Sequence, residues 1–134
     1  MLSYTLKKDG PFHILQITDL HLTHGWHYDE KTLAMVKDLT EFAKPDLIVM
    51  TGDVITDGEG FHPDVMEHAC REFDALGVPW AFVMGNHEGN YNFGKGMREK
   101  KGEFLLAHSK NVLFDRLRRH LRCGQLHSRH PGRK

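Results

Sequence analysis

Ten residues, Thr18 to His27 (TDLHLTHGWH), hold one carboxylate and three imidazoles directly after the apolar run Phe12 to Ile17. Two further apolar runs end in a similar way. Leu47 to Met50 leads into Thr51-Gly52-Asp53, and Trp80 to Met84 leads into Gly85-Asn86-His87-Glu88. Carboxylate and amide oxygens together with imidazole nitrogens suit Mn²⁺, Fe or Zn²⁺ rather than a thiolate-type site. A carboxylate placed between two cations can bridge them, and a metal pair about 3.5–4 Å apart can hold a hydroxide and clamp a phosphate for in-line attack. An imidazole beside the pair can protonate the leaving oxygen. Taken singly, each motif has an ordinary reading: Asp19 as a turn cap, His21 as a surface residue, Gly52-Asp53 as a plain turn. Taken together, three apolar runs that each end in ligand-type residues point to one crevice.

The elements that would position these residues can be read from periodicity. The three runs are four to six residues long, continuous rather than alternating, and rich in β-branched or aromatic residues. That pattern suits parallel strands covered on both faces. From Asp29 to Ala43, Leu33, Val36, Thr40 and Ala43 fall at helix spacing, with Met35, Leu39 and Phe42 widening the apolar face, and Pro45 forbids continuation. From Pro63 to Leu76, Val65, Ala69, Phe73 and Leu76 repeat at helix spacing, with Pro63 suited to the first turn and Gly77 and Pro79 to the stop. A third helix is expected from about Lys95 to Lys110. The order predicts an α/β chain, βαβαβ, with parallel strands and right-handed crossovers. Ligands of open parallel sheets bind just beyond the carboxyl ends of the strands. Asp19, His21, Asp53, Asn86 and His87 all fall there.

The chain has 134 residues, enough for one domain with its own core, and 40% hydrophobic with 27% charged residues is ordinary for a globular protein. No apolar run approaches the roughly 20 residues of a membrane helix, and the first residues lack the apolar stretch of a secretory signal. Cys70 and Cys123 lie far apart without a CxxC pattern, so a reduced, cytoplasmic protein is expected. The zero net charge is a balance of opposites: residues 1–94 carry −9 and residues 95–134 carry +9, with no acid after Asp115.

DLH, then GD, then GNHE resembles the calcineurin-like metallophosphoesterase superfamily, in order and in spacing, over about residues 12–115. The resemblance implies a domain with two sheets sandwiched between helices, a four-layer α/β/β/α arrangement of which this chain would supply mainly one sheet in truncated form. It implies hydrolysis of phosphate mono- or diesters through a hydroxide activated by two divalent metals (Mn, Fe or Zn). Asp19 and His21 then correspond to ligands of the first metal, Asp53 to the bridging carboxylate, Asn86 to a ligand of the second metal, and His87 to the catalytic imidazole. Glu88 belongs to the motif without an assigned chemical role. His21 and Thr56 stand where purple acid phosphatases carry Gly and Tyr, so the chain is similar to the smaller Asp-x-His relatives rather than to the tyrosinate-iron branch.

The family pattern continues with a lone His and a Gly-His-x-His that complete both metal shells. This chain has no Gly-His-x-His; His108 stands alone, and His127 and His130 have another spacing. The first metal would keep Asp19, His21 and Asp53, the second only Asp53 and Asn86. The competing reading is therefore a non-catalytic metal-binding or interaction module with an incomplete site. Histidines 13, 24, 27, 62 and 68 read as structural, solvated or substrate-side residues. Residues 1–115 read as the N-terminal part of a phosphoesterase domain, and 116–134 as a basic tail atypical of it. A shift of reading frame near residue 115 is favoured, because codons for Gly124-Gln125-Leu126-His127 permit Gly-Asn-Tyr when read one base later. A short amphipathic helix over the open core is the alternative, and a nucleic-acid arm carries little weight because no aromatic residue interleaves the basic ones. The expected partners are a phosphate-ester substrate and a second copy bound through an uncovered sheet face, without membrane association.

Overall fold

A computed structural model describes residues 9–23, 27–56, 62–89 and 96–113. Four strands and three helices alternate along the described chain. They are β1 (Ile14–Ile17), α1 (His27–Ala43), β2 (Leu47–Met50), α2 (Pro63–Ala75), β3 (Trp80–Phe82), α3 (Met97–His108) and β4 (Val112–Leu113), with a 3-10 turn at His87–Gly89. The elements expected from periodicity are present within two residues at most ends. β4 was not anticipated: two residues are too few to show a pattern, and tertiary contacts hold it in place.

All neighbouring strands pair in parallel, in the order β1-β2-β3-β4. Each crossover therefore moves one strand in the same direction. Right-handed connections then put every helix on the same side of the sheet. Burial agrees. On the helix side, Ile17, Ile48, Met50, Trp80, Phe82 and Val112 are buried in one cluster with Val36 of α1, Phe73 and its neighbours of α2, and Leu105 of α3. Phe73 meets Trp80 edge to face at 5.4 Å.

The other face of the sheet carries Ile14, Gln16, Leu47, Val49, Ala81 and Leu113, none of which is buried. Its apolar character explains why the strand sequences read as two-sided, and the one-directional winding explains why the described helices cover only one side. α1 also departs from expectation. Leu33, Val36 and Thr40 turn inward, but Met35, Leu39 and Phe42 do not widen that face; they are exposed, Phe42 at 88%. No helix among the described residues is long and apolar enough to cross a membrane.

Candidate metal centre

The carboxyl ends of β1 and β2 do not splay apart after the strands finish. The amides of Asp19, His21 and Leu22 donate to the carbonyls of Gly52, Asp53 and Val54 at 3.1, 3.0 and 2.8 Å, and Thr56 N returns to Leu22 O at 2.9 Å. The DLH and GD turns are thus zipped side by side. Their backbone is unusual. Asp19, His21 and Asp53 have φ of 55, 48 and 51°, and the other non-glycine residue with positive φ among those described is Lys44, which ends α1 ahead of Pro45. Left-handed backbone costs about 1 kcal/mol or more for non-glycine residues and gathers at functional sites, with Asp and His among the more tolerant types.

Glycines bring the third turn in. A Cβ on Gly52 would lie 2.7 Å from both the Cα and the N of Gly85, and a Cβ on Gly85 would lie 2.5 Å from Asp53 N. The GD and GNHE turns therefore touch backbone to backbone, which side chains at these positions would prevent. Asp53 Oδ1 then accepts the His87 amide at 2.8 Å.

The result is a cluster. One donor atom each from His21, Asp53 and His87 lies within 4.8 Å of the others. The two imidazoles meet edge on, with centroids 4.8 Å apart. His21 Nδ1 is hydrogen-bonded to Thr56 Oγ1 at 2.7 Å, and its Nε2 lies 3.6 Å from Asp19 Oδ1. A partner on one ring nitrogen fixes the ring and leaves the other for an ion. Two imidazoles and a carboxylate are a donor set that borderline divalent metals accept, so the residues fit the expected ion chemistry. Asn86 lies exposed in the same turn as His87.

Other histidines fall elsewhere. His108 stacks on Phe104 at 3.8 Å at the end of α3 that leads into the amino end of β4, away from the cluster. His13 is exposed, and its amide donates to Asp46 Oδ2 at 2.8 Å. His62 precedes α2, and His68 lies within it, 3.9 Å from Glu72. His24, His127, His130, the side chain of His27 and the whole basic tail lie outside the described residues.

Glu88 is the residue whose part the sequence hides. It is fully buried. Its Oε2 accepts the amides of Asp53 and Gly85 at 2.9 and 2.7 Å, and its Oε1 accepts that of Ile55 at 3.1 Å. One carboxylate thus ties the turn after β2 to the turn after β3 through three charge-assisted bonds. Arg98 of α3 adds a bond to Gly85 O at 3.0 Å. No spacing rule exposes such a clamp; an acid inside a motif of ligand residues is the single hint.

A family model, calcineurin-like phosphoesterase, matches residues 12–126. The chain belongs to the calcineurin-like phosphoesterase family. Curated relatives of this phosphoesterase-family chain include a probable cyclic nucleotide phosphodiesterase of Psychrobacter arcticus, 34% identical over 60% of this chain and 32% of its own length. The phosphatase DCR2 of Saccharomyces cerevisiae is 33% identical over 60% of this chain and 16% of its own length. A probable inactive purple acid phosphatase 28 of Arabidopsis thaliana is 31% identical over 65% and 26%. The phosphoesterase-family chain thus spans a third or less of the length of these relatives. The family is metal-dependent and acts on phosphate esters, which agrees with the donor set at the strand ends.

Proposed function

We propose that this chain carries the nucleotide- or phosphate-ester-facing half of a two-metal hydrolase site, acting on phosphate mono- or diesters in the cytoplasm. The observation that carries the reading is the convergence of His21, Asp53 and His87 from three strand ends. When bound, a pair of Mn, Fe or Zn ions supplies the attacking hydroxide and neutralises phosphate charge. In this reading Asp19 and His21 would hold the first ion, Asn86 would hold the second, and Asp53 would contribute to both. Thr56 keeps the His21 ring turned toward Asp19. His87, its amide fixed on Asp53, presents its imidazole to protonate the leaving oxygen.

A second reading has a specific observation behind it. Donors within 4.8 Å of one another suit a single ion held by His21, Asp53 and His87, a non-catalytic metal-binding site. Elemental analysis after Mn²⁺ loading and desalting separates the two: two ions per chain support the hydrolase, one supports the binding module. The activity test is Mn²⁺-dependent cleavage of p-nitrophenyl phosphate and bis-p-nitrophenyl phosphate. Asp53→Asn is expected to abolish it and His87→Ala to lower it about 10²–10⁴-fold. Equal rates for wild type and Asp53→Asn would overturn the hydrolase reading.

A further inference from the structure

The exposed side of α1 is patterned rather than random. At about 100° per residue, Tyr28, Met35, Leu39 and Phe42 fall within an arc of about 60°. All four are exposed, at 53, 53, 41 and 88%. The stripe lies neither on the core side, which carries Leu33, Val36 and Thr40, nor on the side facing α2. That side carries Lys37, Glu41 and Lys44, which border a groove of about 350 Å³ with Glu72 and Leu76. The apolar stripe therefore points away from the rest of the helix layer.

Its flanking charges have an order. Lys31 and Asp38 are seven residues apart, so they share one flank of the stripe, opposite in sign and on either side of Met35. When two copies of such a helix pack antiparallel about a two-fold axis, like flanks face each other. With the axis near Met35, Lys31 of one copy comes beside Asp38 of the other, twice. Tyr28 comes against the Leu39–Phe42 end, also twice. A single helix face thus complements itself in both charge and apolar content, as a two-fold interface requires. The uncovered sheet face lacks this property: its exposed residues carry no charge that would set a register.

We propose that α1 is a self-association surface, through which two copies of this chain pair by antiparallel packing of their Tyr28–Met35–Leu39–Phe42 stripes. This moves the expected second-copy contact from the sheet face to the helix layer. It is independent of the hydrolytic reading, since none of these residues belongs to the metal cluster. A helix pair of this length buries on the order of 1,000 Å², at the small end for specific complexes, so the dimer is reversible.

Sedimentation velocity over about 1–300 μM, a range that brackets micromolar dissociation, tests this, with circular dichroism to confirm that each variant is folded. Wild type is expected to shift from monomer to dimer. Met35→Lys, which sets two lysines together at the axis, and Phe42→Glu, at the most exposed position, are each expected to move the midpoint up about tenfold or more. Lys31→Asp and Asp38→Lys are each expected to weaken pairing, and an equimolar mixture of the two to restore it, because the mixed pair regains both contacts. A monomer at every concentration overturns the proposal. So does a dimer that survives Met35→Lys and Phe42→Glu but is lost in Val83→Lys, which places the contact on the open sheet face. Failure of the mixed pair to recover overturns the antiparallel register.

Discussion

The two ends of the sheet use the same device for different purposes. At the carboxyl end, Glu88 gathers the amides of Asp53, Ile55 and Gly85. At the amino end, Asp74 of α2 accepts Ser109 Oγ at 2.6 Å, Lys110 N at 2.7 Å, Trp80 Nε1 at 3.1 Å and Asn111 N at 3.3 Å. Each is one carboxylate that binds segments far apart in sequence. The backbone they hold differs. Around Glu88 the chain is left-handed at Asp19, His21, Gly52 and Asp53 and two glycines touch; at the amino end the one non-glycine residue of positive φ among those described, Lys44, follows a helix, and the others there are the glycines Gly10 and Gly77. Glu88 holds a strained arrangement that bears the candidate ligands, whereas Asp74 docks a loop and starts β4. Carboxylates of similar bonding, one buried and one half-buried, thus support either a site or a boundary, and the strain around them tells which.

The largest test removes the clamp at the site end. Glu88→Ala leaves three amides without their acceptor, and a loss of about 3–5 kcal/mol in urea unfolding is expected, together with weaker Mn²⁺ binding. A destabilised variant that binds Mn²⁺ as wild type does would show that the clamp serves the fold alone.

Asp74→Ala is the counterpart. It is expected to cost about 2–3 kcal/mol and to leave Mn²⁺ affinity unchanged; a changed affinity would break the distinction between the ends. Burial pushes the Asp74 carboxyl up, but the bonds from Ser109, Lys110, Trp80 and Asn111 outweigh it and hold the group below its ordinary value. Its contribution is therefore complete above the unfolded-state pKa of an aspartate and is lost as pH falls through the folded one. The stability gap between wild type and Asp74→Ala should narrow in acid.

Between the ends, Lys101 of α3 is 1% exposed, and burial pushes its ammonium down to about 8 from 10.5. A folded pKa below the unfolded one means that the unfolded chain binds more protons between these values. Stability should rise as pH goes from about 8 to 10.5, the cost of the buried charge being felt in full below that window. Lys101→Met is expected to flatten the rise, read from melting curves against pH.

The smallest effect on the fold is expected at Thr56, whose hydroxyl orients His21. Thr56→Val should change stability by about 1 kcal/mol or less yet weaken Mn²⁺ binding about tenfold, measured by titration calorimetry. A fold effect without a metal effect would place Thr56 with Asp74 rather than with Glu88.

Much of this was legible in the sequence because it is local. Continuous β-branched and aromatic runs mark β1, β2 and β3; helix periodicity between Pro63 and Gly77 marks α2; residue types at the run ends mark the candidate ligands. Contact between segments is not local, and only the tertiary structure decided it. The touching of Gly52 and Gly85, the burial of Glu88 under three amides, and the pairing of a two-residue β4 each depend on what another part of the chain brings to that point. The same holds for the apolar residues of α1. Spacing shows that Met35, Leu39 and Phe42 are apolar and helical, but which side of a helix is buried depends on where its neighbours lie. Here the one-directional strand order puts the sheet and α2 against the other two sides and leaves that stripe to solvent.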